Sequence, residues 1–205
     1  ALAEELRFAF NNKPLQRKKL LCACRLYFES NYEKAMKYLV QLMDEIENDR
    51  DAVPVYFFMA LCFTDDGLVN EAVKVYYYLL DLDPNHAVAH SNLGHLLIQK
   101  GDYENALIHY NKSIELDPKS YHAYNNRASY YFIVNDYENA IVDAEKALEL
   151  KNNGVEAATL LTIIYALQGD EENKKKYYHI AIISGKNPID LDEAIQLYLS
   201  EQNKP

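Results

Sequence analysis

Apolar residues return along this chain at intervals of three and four, the spacing that lines one face of an α-helix. After Asp102 they fall at Tyr103, Ala106, Leu107, Tyr110 and Ile114. The preceding stretch, Ala87 to about Lys100, also reads as helix and stops at Gly101, a residue suited to the left-handed position after a helix. Asp102 then stands where an N-cap is wanted, and Pro118 closes the unit because proline cannot continue a helix. The pattern predicts a helix hairpin with one apolar face left over. Burying that face requires a further hairpin, so stacking is obligatory.

The hairpin recurs. Asp102-Tyr103-Glu104-Asn105-Ala106 returns as Asp136-Tyr137-Glu138-Asn139-Ala140, and Leu82-Asp83-Pro84 returns as Leu116-Asp117-Pro118, both at an offset of 34 residues. Gly67 and Gly101 keep that step, as do Ala72, Ala106 and Ala140, and Gly169 lies two periods beyond Gly101. Asn135 takes the equivalent place in the repeat between, as the next-best residue for a left-handed turn. Asn31-Tyr32-Glu33-Lys34-Ala35 echoes the run near the start.

In period and in small and bulky positions the chain resembles the tetratricopeptide repeat family. With each repeat numbered from 1 at residues 53, 87, 121 and 155, the family's bulky position 4 holds Tyr56, His90, Tyr124 and Ala158. Its small position 8 holds Ala60, Gly94 and Ala128, with Thr162 a departure, and its small position 20 holds Ala72, Ala106 and Ala140, with Lys174 a departure. Position 11, which wants a large ring, holds Phe63, Leu97, Tyr131 and Tyr165. Position 32 holds Pro84 and Pro118, while Asn152 and Lys186 depart. Small residues at 8 and 20 let paired helices approach, and the rings fill the space beside them.

The resemblance implies an all-α, right-handed superhelical solenoid of antiparallel helix hairpins. The expected organisation is an N-terminal helix in 1–15, five repeats in 16–188 (16–52, 53–86, 87–120, 121–154 and 155–188), and a C-terminal capping helix and tail in 189–205. About three extra residues near Asn48–Asp51 separate the first repeat from the second. Leu2–Phe10 reads as the N-terminal helix. Leu191, Ile195, Tyr198 and Leu199 give the C-terminal one its apolar stripe, with Asp190 as its N-cap.

Composition changes this picture little. Hydrophobic residues at 49% and charged residues at 25% make disorder a poor reading. The net charge of -10 disfavours phosphate backbones and anionic lipid, so no nucleic-acid partner is expected. Residues 53–86 carry Lys74 against five acids, which suits a basic partner or serves as a solubilising surface. Cys22, Cys24 and Cys62 make no disulfide framework and no zinc-ligand pair, so buried thiols are expected. No run of 18 apolar residues predicts a membrane span, and no signal peptide is visible, so the expected setting is cytoplasmic. The start at Ala1 rather than Met leaves room for a removed upstream segment.

Candidate chemistry is sparse. No phosphate loop, HExxH pair or serine elbow occurs, and no enzyme activity, metal or cofactor is expected. The tyrosine runs Tyr76-Tyr77-Tyr78 and Tyr130-Tyr131 lack interleaved Lys or Arg, which disfavours base stacking, and Tyr76 and Tyr131 read as their core rings. The family resemblance implies that the first helix of each hairpin lines a concave groove through positions 2, 5, 6, 9, 12 and 13. Groove candidates are then Phe57, Phe58 and Leu61, followed by Ser91, Asn92 and His95, then by His122, Asn125, Asn126 and Ser129. Glu156, Thr159, Leu160 and Ile163 take these places in the last repeat. Asn92 and Asn126 share position 6, and an amide can pair with both groups of a peptide unit; bonding to a neighbouring helix is the alternative. Phe57, Phe58 and Leu61, with Tyr27 and Phe28, form either an apolar anchor pocket or a patch covered by Leu6 and Phe10.

The implied function is a protein–protein interaction scaffold that binds a peptide or extended segment. A self-associating or structural arm of a larger protein is the alternative, with an enzyme third. The family's carboxylate clamp for heat-shock chaperones implies two cations and three amide-type contacts at places held here by Leu20, Cys24, Phe58, Val88 and Asn92; only Asn92 could contribute and both cations are missing, so no such clamp is expected.

Overall fold

The computed structural model describes residues 10 and 13–202. All regular structure among these residues is helical, with no strand. Eleven helices follow in order: α1 (Pro14–Phe28), α2 (Tyr32–Met43), α3 (Asp49–Asp65), α4 (Val69–Leu82), α5 (Ala87–Gln99), α6 (Tyr103–Leu116), α7 (Tyr121–Ile133), α8 (Tyr137–Leu150), α9 (Val155–Gln168), α10 (Glu171–Ile183) and α11 (Pro188–Gln202). The helix expected over Leu2–Phe10 lies outside the described residues except for Phe10, whose ring is buried.

The turn inside each hairpin repeats atom for atom. Gly101 takes φ +77°. The next amide, of Asp102, donates to Leu97 O at 2.9 Å, so the left-handed residue satisfies carbonyls that the helix end would orphan. Asn135 does the same at φ +60°, with Asp136 N donating to Tyr131 O at 2.8 Å. In the first hairpin Ser30 fills the place at φ +55°, a conformation that costs a non-glycine residue about 1 kcal/mol. In the last three hairpins the residue that follows is an Asp, which caps the second helix. Asp136 accepts from Asn139 N at 3.2 Å, and Asn139 Nδ2 donates back to it at 2.7 Å. Asp102 with Asn105, and Asp170 with Asn173, repeat the exchange.

The extra residues between the first two repeats become an added turn at the start of α3. Asn48 caps that turn by accepting from Asp51 N at 3.0 Å, and Pro54 follows inside the helix. At the other end of the chain, α11 begins at Pro188, so Asp190 sits in its first turn rather than at the cap. Asn187 accepts from Ile189 N at 2.9 Å in its place.

The helices form two compact units, Ala1–Leu116 and Asp117–Pro205. In the first, α1–α2, α3–α4 and α5–α6 pair as hairpins, with α2 against α3 and α4 against α5. In the second, α7–α8 and α9–α10 pair, α8 lies against α9, and α11 packs on α9. The small positions carry the close contacts. Ala60, Ala72, Ala106, Ala128 and Ala140 have no exposed surface. A Cβ on Gly94 would stand 2.9 Å from Tyr110 Cε1, so only glycine admits that ring. Thr162, a departure at the same position, is buried and spends its hydroxyl on Ala158 O at 2.7 Å. Tyr76 is core as expected, but in the other run Tyr130 is the buried ring and Tyr131 is half-buried beside Arg127.

Candidate functional site

The first helices of the first unit are α1, α3 and α5. On α3, Phe57 and Phe58 are each 1% exposed, and this corrects their reading as groove surface. Phe57 stacks on His86 at 5.0 Å, and Phe58 meets Tyr27 edge-on at 6.3 Å. These rings are consumed by packing, which is worth about 1.5–3 kcal/mol for a large apolar side chain. Leu61 is half-buried. On α5, Ser91 is buried, and Asn92 Nδ2 donates to Tyr76 Oη at 2.9 Å. The amide of Asn92 therefore serves a neighbouring helix. His95 is exposed, with Gln99 Nε2 3.0 Å from its Nε2.

In the second unit the first helices are α7 and α9, which touch one another. His122 is exposed, its ring 4.6 Å from that of Tyr121. The Tyr121 hydroxyl donates to Glu156 Oε2, and this bond leads the causes that hold the Glu156 carboxyl below its ordinary range. Lys151 Nζ lies 4.4 Å from the centre of the Tyr121 ring. Ser129 Oγ donates to Asn125 O at 3.0 Å. Asn126 is half-buried and already has an interaction of its own.

Two polar atoms of this face are sequestered without partners, Oδ1 of Asn125 and Oγ1 of Thr159. They occupy position 5 of adjacent repeats, one on α7 and one on α9. A buried polar atom left without a partner costs about 1–3 kcal/mol. Thr159 takes a groove place in the sequence reading, but nothing in the sequence marks it or Asn125 as unpartnered, because that depends on what surrounds each atom.

One end of the α7–α9 face is taken by α11. Ile163 and Ala166, at positions 9 and 12, are buried with Leu191 and Ile195 of that helix. The Phe132 ring lies 5.2 Å from that of Tyr198, edge to face. A cavity of about 420 Å³ remains beside it, lined by Phe132, Ile133, Leu167, Tyr198 and Glu201 among others. The apolar stripe of α11 is legible in the sequence, but its seat on the groove positions is not.

Among the described residues no group of three or more His, Cys, Asp or Glu is placed to hold a metal ion. Burial pushes the Cys24 and Cys62 thiols up to about 12, so neither is a ready nucleophile. No helix of the described residues is long and apolar enough to cross a membrane.

Residues 87–120 and 109–142 match the tetratricopeptide repeat family, the first of them in the frame of the α5–α6 hairpin. Solved structures with the same fold include a tetratricopeptide repeat protein of Thermus thermophilus, with a TM-score of 0.69, 18% identity, and coverage of 90% of this chain and 98% of that one. The chain carries tetratricopeptide repeats over residues 87–142. PilF of Pseudomonas aeruginosa is similar to this repeat protein with a TM-score of 0.75 and 16% identity, covering 92% of this chain and 91% of that one. YrrB, described as a tetratricopeptide repeat protein with an unusual peptide-binding site, has a TM-score of 0.67 and 15% identity over 96% and 98% of the two chains. No curated protein sequence matches significantly. The tetratricopeptide fold is that of a helical solenoid, and it supports a protein–protein interaction scaffold.

Proposed function

We propose that this protein holds an extended peptide segment against the first-helix face of its second unit. Asn125, Asn126, Ser129 and Thr159 line the middle of that face, with His122 and Glu156 at its edge. The observation that carries the reading is the pair of unpartnered atoms at position 5. Both atoms are closed off in the free chain, so capture requires the two side chains to turn outward; a peptide N–H would then donate to Asn125 Oδ1, and a peptide carbonyl would accept from Thr159 Oγ1. An extended strand offers both groups at every residue, so the pairing asks for no particular side chain. The imidazole and carboxylate at the edge then select for polar or basic neighbours. In the first unit, His95 offers a further exposed polar contact, whereas Asn92 is engaged by Tyr76. YrrB, with its unusual peptide-binding site, is a precedent for peptide capture in this fold. The carboxylate clamp is not the mode, because Leu20, Cys24 and Phe58 are buried at the places where its contacts would stand.

The test is selection of a displayed random peptide library on the whole chain, followed by fluorescence anisotropy with a selected peptide. Asn125→Ala is expected to weaken binding by about tenfold, the worth of roughly one hydrogen bond at 1.4 kcal/mol. Unchanged binding in both Asn125→Ala and Thr159→Val would overturn the reading.

A further inference from the structure

The first unit carries a second cavity, away from the first-helix face, between α2 and the C-terminal end of α3. It has a volume of about 540 Å³, and Met36, Lys37, Val40, Phe63 and Asp66 are among its lining residues. That size lies within the range of about 300–1,000 Å³ typical of ligand sites. Its floor is apolar: Met36, Val40 and Phe63 supply the carbon surface, and Val40 remains 49% exposed. Tyr32, Met36 and Val40 stand at i, i+4 and i+8 on α2, so the apolar strip is continuous along the helix.

The charges around this floor are unequal. Lys37, the one cation lining the cavity, is bound to Glu33 at 2.8 Å. Asp66 faces the cavity with no Lys, Arg or His paired to it among the described residues. Asp65 beside it is engaged by the neutral hydroxyl of Tyr27, at 2.6 Å. The whole 53–86 stretch has one Lys against five acids, so no compensating charge arrives from nearby in sequence. An apolar trough with an acidic lip attracts a cation beside a bulky carbon side chain.

We propose that this trough is a docking site for a protein segment that presents large apolar side chains flanked by Arg or Lys. The apolar groups seat on Met36, Val40 and Phe63. The flanking cation pairs with Asp66 and Asp65. The site is separate from the peptide face of the second unit, and the two readings stand or fall apart.

The test uses the whole chain and a synthetic fluorescent peptide library. One half carries Leu, Ile, Met or Phe anchors with Arg flanks, and the other carries the same anchors with Glu flanks. Arg-flanked members are expected to bind, and Glu-flanked members are not. Val40→Glu, at an exposed position, is expected to weaken binding by about tenfold or more with an unchanged melting temperature. Asp66→Lys is expected to weaken it severalfold and to flatten its salt dependence. Asn125→Ala is expected to leave this binding intact. Equal binding of both halves, or no effect of Val40→Glu, overturns the proposal, as does failure of every peptide to bind. If Val40→Glu instead abolishes a concentration-dependent dimer seen by light scattering, with no peptide bound, the occupant is a second copy and the proposal fails.

Discussion

His90 and His109 are joined ring to ring, with Nδ1 of one 2.8 Å from Nδ1 of the other. His90 Nε2 lies 3.0 Å from the carbonyl of Pro84 and must donate to it. Its Nδ1 is then an acceptor, so His109 Nδ1–H is the donor, and both rings are neutral. The bond ties α5 to α6 inside one hairpin. Its existence was invisible in the sequence, where His90 is simply the bulky residue at position 4.

Burial pushes the His109 imidazole down to about 4, with the neighbouring His90 adding to the shift and Asp102 opposing it. His90 is likewise lowered by burial, against the pull of Pro84 O, with Lys112 and His86 lowering it further and Asp83 opposing. Because both are depressed below the ordinary 6.5, the unfolded chain binds the proton first. Stability is full above about pH 6.5 and drains as pH falls towards 4. Urea unfolding should show lower stability at pH 5 than at pH 7.5, by less than the roughly 2 kcal/mol that the unscreened shift would give over that interval, because solvent screens the half-buried His109 ring. His109→Asn, which keeps a donor at the Nδ1 place, should remove most of that difference.

Gly94 is expected to resist substitution although it lies inside a helix. Alanine would gain about 1 kcal/mol in helix propensity. Its Cβ would meet Tyr110 at 2.9 Å, and that ring, 1% exposed, has nowhere to go. Overpacking of this kind costs about 1–3 kcal/mol, so Gly94→Ala should lower the melting temperature, as calorimetry can measure.

Arg127 Nε and Nη2 bind both carboxylate oxygens of Asp143, at 2.6 and 2.8 Å, with Tyr124 and Tyr131 each 5.8 Å from the guanidinium. The Asp143 side chain is only 4% exposed. Asp143→Ala leaves a cation without its counter-ion between α7 and α8 and should cost about 3 kcal/mol by urea denaturation. Asp143→Asn, which still accepts a bond, should cost less.

A peptide ending in EEVD is expected not to bind. A C-terminal carboxylate needs cations to offset its desolvation, and buried, uncharged Leu20, Cys24 and Phe58 hold three of the clamp's contact places. Micromolar affinity by isothermal calorimetry would contradict this.

The repeat frame was legible because it is written locally. The left-handed Gly101 and Asn135 and the caps Asp102 and Asp136 each act on atoms within a few residues of themselves. The added turn of α3 was visible as a three-residue slip in the same frame. The candidate site was legible only in outline. Position numbers brought Asn125, Asn126, His122 and Ser129 to one helix, but they also assigned Phe57, Phe58 and Ser91 to an open surface, and all three are buried.

The sequence by itself determined that this chain forms stacked helix hairpins and which small residues let them meet. Those are consequences of backbone sterics and of spacing along a single helix. Only the tertiary structure decided that Tyr76 takes the amide of Asn92, that α11 covers Ile163, and that Asn125 and Thr159 keep unmade bonds. Each of these depends on groups far apart in the chain competing for one volume, and that competition is settled by packing geometry rather than by any periodic pattern.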